Sequence, residues 1–143
     1  MSTDIEITTF VGATSEKVWA ALTDPARIQA YHYSGMHVEA LPEGGHRIKQ
    51  PGSDDTFIRE ALVSKKDGER LELTFEPMWV ESATPSSTVS WELSEEAEAT
   101  KVTFRQTNCA TMGIGDNWHR FMSSLKSYVE TGDGLRIPVP KRA

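Results

Sequence analysis

Ile5 and Ile7 alternate with polar residues, and Thr9 and Val11 continue the same parity, which predicts a first strand. Thr14-Ser15 then offers hydroxyls to the free amides of a helix start. Val18, Trp19 and Leu22 follow at helical spacing. Asp24-Pro25 interrupts that helix, because the residue before a proline is pushed out of the α region. Pro25 opens a second short helix through Ile28, having no amide to leave unsatisfied. A run of strands separated by turn residues comes next. Met36 to Leu41 ends at Pro42-Glu43-Gly44-Gly45, and His46 to Lys49 ends at Pro51-Gly52-Ser53-Asp54-Asp55. Thr56 to Lys65 reads as a longer strand, with Asp67-Gly68 as its hairpin turn. Leu71, Leu73 and Phe75 alternate with Glu72, Thr74 and Glu76 until Pro77, and Pro85 falls in the loop that follows. Val89, Trp91 and Leu93 repeat the pattern, as do Val102, Phe104 and Gln106. Such alternation is the mark of an antiparallel sheet covered on one side.

The cover is supplied near the end of the chain. Trp118, Phe121, Met122, Leu125 and Val129 recur on one face of a helix from about Asn117 to Thr131, with Asp116 or Asn117 at its start and Gly132 as a left-handed stop. The predicted class is α+β: a curved antiparallel sheet of about seven strands around a long C-terminal helix, with two short helices after the first strand. No repeat or linker divides residues 1–143, which predicts a single domain. Arg136 to Ala143 carries two prolines and three bases and reads as an extended or frayed tail.

Charge and composition narrow the function classes. Lys plus Arg number 15 against 21 Asp plus Glu, a formal net charge of −6, and the pI near 5.2 speaks against general binding to phosphate backbones. From Glu69 to Glu98 there are eight acids and one base, a stretch read as a solvated face. No apolar run is long enough for a membrane span, and Met1 to Glu6 lacks the features of a secretory signal, so the expectation is cytoplasmic. The lone Cys109 offers neither an internal disulfide nor a zinc cage and reads as an inert thiol. His32, His37, His46 and His119 form no helical metal pair, so no metal is expected. Gly113-Ile114-Gly115 precedes a helix but follows an antiparallel strand, so it reads as a turn and no cofactor is expected.

The segment Ala13-Thr14-Ser15-Glu16-Lys17-Val18-Trp19-Ala20-Ala21-Leu22-Thr23-Asp24-Pro25 resembles the SRPBCC superfamily, which shares a helix-grip fold with START lipid-binding domains and birch-pollen-type allergens. Within it the chain is most similar to the activators of the heat-shock-protein-90 ATPase and their single-domain homologues. Gly44-Gly45, Arg70 to Phe75, Trp118 and Leu125 to Glu130 carry the rest of the resemblance, from about Thr3 to Gly132. Where the family often has a tryptophan after Thr-Asp-Pro, this chain has Tyr31, His32 and Tyr33.

The resemblance implies a cavity between the sheet and the last helix. Its expected walls are Tyr31, Tyr33, Phe75, Trp91, Phe104, Trp118, Phe121, Met122 and Leu125. The alternative is that the same side chains fill a solid core. Gln106 shares the parity of Phe104, and a buried amide needs a partner, a water or a ligand. Arg59 and Glu60 face opposite sides of one strand, and their apolar neighbours do not settle which is inward. An inward arginine would suit an anionic ligand, and an inward glutamate would suit a general base. His32, between two tyrosines at the expected cavity mouth, is a candidate for hydrogen bonding or proton transfer. Three functions follow in order: binding of a small hydrophobic or amphipathic molecule, a cyclase- or hydrolase-like enzyme in the same cavity, and a chaperone-type protein partner. No nucleic-acid or membrane partner is expected, and the chain reads as a monomer or weak homodimer.

Overall fold

A computed structural model describes residues 3–78, 87–109 and 116–138. In chain order the elements are β1 (Thr3–Val11), α1 (Ser15–Thr23), α2 (Pro25–Tyr31), β2 (His37–Ala40), β3 (Gly45–Lys49), β4 (Ile58–Lys66), β5 (Arg70–Pro77), β6 (Ser87–Glu96), β7 (Ala99–Thr107) and α3 (Asn117–Thr131). The strands form one curved seven-stranded antiparallel sheet in the order β1-β7-β6-β5-β4-β3-β2. This is a meander from β2 to β7, closed by the first strand pairing with the last. Gly113-Ile114-Gly115 and Pro85 lie outside the described residues.

Local chemistry sets the breaks. Thr14 caps α1 by accepting from Lys17 N at 3.3 Å. Asp24 ends α1 and caps α2, its carboxylate accepting from Ala26 N at 3.0 Å, with Pro25 in the first helical turn. Gly132 closes α3 in the left-handed region, at φ 91°. Asp116 holds the position before α3, but its own backbone is helical and its side chain makes no capping bond.

The inner sheet face carries the alternating apolar set: Leu71, Leu73 and Phe75 on β5, Val89, Trp91 and Leu93 on β6, and Val102 and Phe104 on β7. From α3, Trp118, Phe121, Met122 and Leu125 are buried against it, each contributing about 1.5–3 kcal/mol of gross transfer free energy. Carboxylates tie the helices to the sheet. Glu95 on β6 accepts from Ser15 N and Oγ at the start of α1, where the helix dipole favours an anion. Glu130 on α3 accepts from Gly12 N at 2.7 Å. The outer face pairs its charges, Arg105 with Glu6 and Glu92, and Arg59 with Glu43 and Glu76.

After α3 the chain turns back along the α2–β2 segment. Leu135 N donates to the buried Ser124 hydroxyl at 2.8 Å, and that hydroxyl donates to Tyr31 O. Arg136 Nη1 donates to His32 O at 2.5 Å, and Ile137 N donates to Tyr33 O at 3.0 Å. Residues 136–138 are therefore docked, holding residues 31–33 beside α3. Among the described residues no helix is long and apolar enough to cross a membrane.

Candidate functional site

Strand register builds the floor of the site. His46 on β3 is the direct cross-strand partner of Glu60 on β4, and Ile48 is that of Ile58. On the other side Arg59 pairs with Glu76 and Leu62 with Leu73, which puts Glu60 across from Phe75. Three adjacent strands thus present His46, Glu60 and Phe75 in one row. Trp118 and Phe121 approach from α3, and His32 and Tyr33 from the end of α2. The cleft between them is bordered by His32, Tyr33, Ile48, Ile58, Glu60, Phe75, Asn117, Trp118 and Phe121 and holds about 40 Å³. That space is open to solvent on one side and admits a small polar group beside Glu60.

The remaining expected walls lie behind the cleft. Trp91 and Phe104 rings are 4.7 Å apart, Phe104 and Trp118 4.3 Å, and Trp91 and Phe121 5.7 Å. Their packing fills the centre of the grip. Met122 and Leu125 are buried core residues on α3. Tyr31 is also core, its hydroxyl donating to Ala21 O at 2.9 Å and its ring meeting Phe121 and Tyr128. Gln106 is consumed internally: its Oε1 accepts from Trp118 Nε1 at 2.6 Å, and its Nε2 donates to Ser87 Oγ at 3.0 Å.

The open question on β4 has a definite answer. Glu60 points inward and is 4% exposed. Arg59 points to the outer face, its guanidinium reaching Glu76 at 2.7 Å and Glu43 at 2.5 Å. Arg59 is therefore removed from the cleft, and an anion clamp there has no geometric basis. The physical reason is parity: Ile58, Glu60 and Leu62 share the covered face. Among the described residues, the side-chain nitrogen nearest the Glu60 carboxylate is His46 Nε2 at 3.6 Å.

His32 is buried beside this pair and stacks on Tyr33 with ring centroids 4.7 Å apart. Ser34 N donates to its Nδ1 at 3.3 Å, which places the ring proton on Nε2. Burial, then the nearby Arg136 and His46, lowers its pKa to about 4, so the ring is neutral at neutral pH. Burial likewise raises the Tyr31 and Tyr33 phenols above their ordinary value. Cys109 is buried, and desolvation with the nearby Asp4 carboxylate pushes its thiol up to about 11, leaving it protonated. His37 and His119 are exposed. No group of three metal-ligating side chains occurs among the described residues.

Three lining residues were not among the expected ones, Ile48, Ile58 and Asn117, and neither was His46, the cross-strand neighbour of Glu60. The alternation of His46 and Ile48 about Arg47 was the available signal, and Ile58 shares the parity of Glu60.

A sequence model of the family described as "Activator of Hsp90 ATPase homolog 1-like protein" matches residues 12–130. The chain belongs to this family. Solved structures agree on the fold. The Aha1 dimer from Colwellia psychrerythraea superposes with a TM-score of 0.74 at 19% identity, covering 94% of this chain and 100% of that one. DynU16, a putative protein in the dynemicin biosynthetic locus, gives a TM-score of 0.72 at 23% identity over 93% of this chain. This chain spans only 49% of DynU16. CalU16 from Micromonospora echinospora gives 0.67 at 23% identity, covering 94% of this chain and 76% of that one. No curated protein matches. Within this frame, the site of this chain is the Glu60–His46 row with His32 beside it.

Proposed function

We propose that this protein binds a small amphipathic molecule in the cleft between the sheet and α3. The observation that carries the reading is a buried carboxylate, Glu60, at the floor of a cleft otherwise bordered by Ile48, Ile58, Phe75, Trp118 and Phe121. A mostly apolar recess with one or two polar groups is the usual form of a small-molecule site. The polar head lies at Glu60, and the apolar body lies in the mouth beside Tyr33 and Ile58.

Thermal shift against aryl and alkyl alcohols, amines and acids tests the reading. A ligand at ten times its Kd stabilises by about 1.4 kcal/mol, a rise in Tm of roughly 3–6 °C for a chain of this size. Ile58→Trp, which fills the mouth, is expected to remove the shift. If no compound moves Tm, or if every shift survives in Ile58→Trp, the cleft is not a binding site.

A second reading, a cyclase- or hydrolase-like enzyme, is favoured by one feature: the carboxylate lies 3.6 Å from an imidazole, a workable general-base pair. For that reading Glu60→Gln must abolish turnover of a bound ligand while leaving its affinity in place.

A further inference from the structure

The charge arrangement of the cleft narrows the ligand. Among its described lining residues Glu60 is the one carboxylate, and no lysine or arginine borders it. Arg59, the nearest cation in sequence, is turned to the outer face and already holds two carboxylates. His46 does not close off the Glu60 carboxylate. Its Nε2 stands 3.6 Å away, whereas a charge-assisted N–H···O bond closes to about 2.7–2.9 Å. Glu60 makes no shorter polar contact among the described residues. Glu60 is a largely buried residue whose carboxylate borders the cleft with acceptor capacity to spare, which favours a ligand that donates to it.

The aromatic walls add a second preference. Tyr33, Phe75, Trp118 and Phe121 border the same space. Ring faces attract ammonium groups within about 6 Å of the centroid, and repel the electron-rich side of an anion.

We propose that the cleft recognises a primary ammonium group on an aromatic or alkyl body, with the N–H donors directed at Glu60 and the body leaving past Tyr33 and Ile58. This deepens the binding reading above and rests on it. The ligand class is the reverse of the anion that an inward Arg59 would have selected.

Three matched probes test the assignment: 3-phenylpropylamine, 3-phenylpropan-1-ol and 3-phenylpropanoate, titrated by calorimetry at neutral pH. The expected result is that wild type binds the amine at least tenfold tighter than the alcohol and the carboxylate. Glu60→Gln, near-identical in shape, is expected to cut amine affinity at least tenfold and to change alcohol affinity less than threefold. The selectivity among probes is read on the wild-type protein, so the test survives if Glu60→Gln does not fold. Binding of the alcohol or the carboxylate as tightly as the amine would overturn the ammonium assignment and leave the binding reading standing. Failure of all three probes, together with the wider panel, would overturn both.

Discussion

Gln106 is fully buried between Ser87 and Trp118, and its removal has a calculable cost. Gln106→Leu keeps the side-chain volume, so the main loss is polar. The Trp118 indole N–H, now 2.6 Å from Gln106 Oε1, becomes a buried donor with no acceptor, a cost of about 1–3 kcal/mol. Ser87 loses less, because its hydroxyl still donates to Thr107 O at 2.6 Å. The middle of that range lowers Tm by roughly 4–8 °C for a chain of this size. Urea denaturation followed by far-ultraviolet circular dichroism should show a lower midpoint with an unchanged slope. A cycle with Trp118→Phe isolates the bond. The double variant has neither donor nor acceptor, so the coupling should come out near 1–2 kcal/mol. A Gln106→Leu protein within 0.5 kcal/mol of wild type, or a cycle without coupling, would falsify the claim that this amide is spent on the core.

Two further outcomes follow from the same neighbourhood. His32 is neutral in the fold down to a pKa of about 4, while the unfolded chain takes up its proton near 6.5, so its contribution is full above pH 6.5 and is lost as pH falls toward 4. Wild type should lose about 3 kcal/mol over that window that His32→Gln does not; an equal fall in urea-melt stability of the two proteins between pH 7 and pH 4 would show that the ring is not held neutral. Gly134→Ala would place a Cβ 2.8 Å from Tyr31 Cα and Cβ and 2.9 Å from Ser124 Oγ, so the docked segment must lift or strain by about 1–3 kcal/mol. Hydrogen exchange should then speed up at the Leu135 and Ile137 amides, and unchanged exchange would mean that the segment absorbs the methyl in place.

Most of the architecture was legible because each strand buries one face only. Alternation then gives both the strand and its inner side, as on β5 to β7, where Leu73, Trp91 and Phe104 all sit where parity put them. The helical face of α3 was equally plain, and its bounds fall at the expected Asn117 and Thr131. The division of the aromatic residues between core and cleft was not legible. Trp91 and Phe75 share a face and a chemistry; they differ in position along their strands, which decides whether α3 covers them completely. His46 escaped attention as the partner of Glu60 for a similar reason. Its partner is 14 residues away across a strand pair, and register is a property of two strands together. The docking of residues 136–138 was hidden too, since prolines announce an extended chain and say nothing of the surface that receives it.

The sign of the cleft depends on a backbone contact. A shift of one residue in the β3–β4 register would turn Glu60 out and Arg59 in, because strand side chains alternate. Gly45 opposes that shift. It adopts φ +85°, and a Cβ there would stand 2.1 Å from Glu60 O and 2.9 Å from Leu62 N. Only a residue without a side chain allows β3 to lie this close to β4, and only in this register does its neighbour His46 fall opposite Glu60. The outer pairs reinforce the choice, since Arg59 between Glu43 and Glu76 would exchange two partners for an apolar wall if it turned inward. The carboxylate in the cleft therefore follows from the turn glycine and from the charges on the far side of the sheet as much as from residue 60. An inward arginine with an anion-selective site would require Gly45 to be replaced and the strand re-registered, and exchanging residues 59 and 60 alone would leave Glu43 and Glu76 facing a third carboxylate.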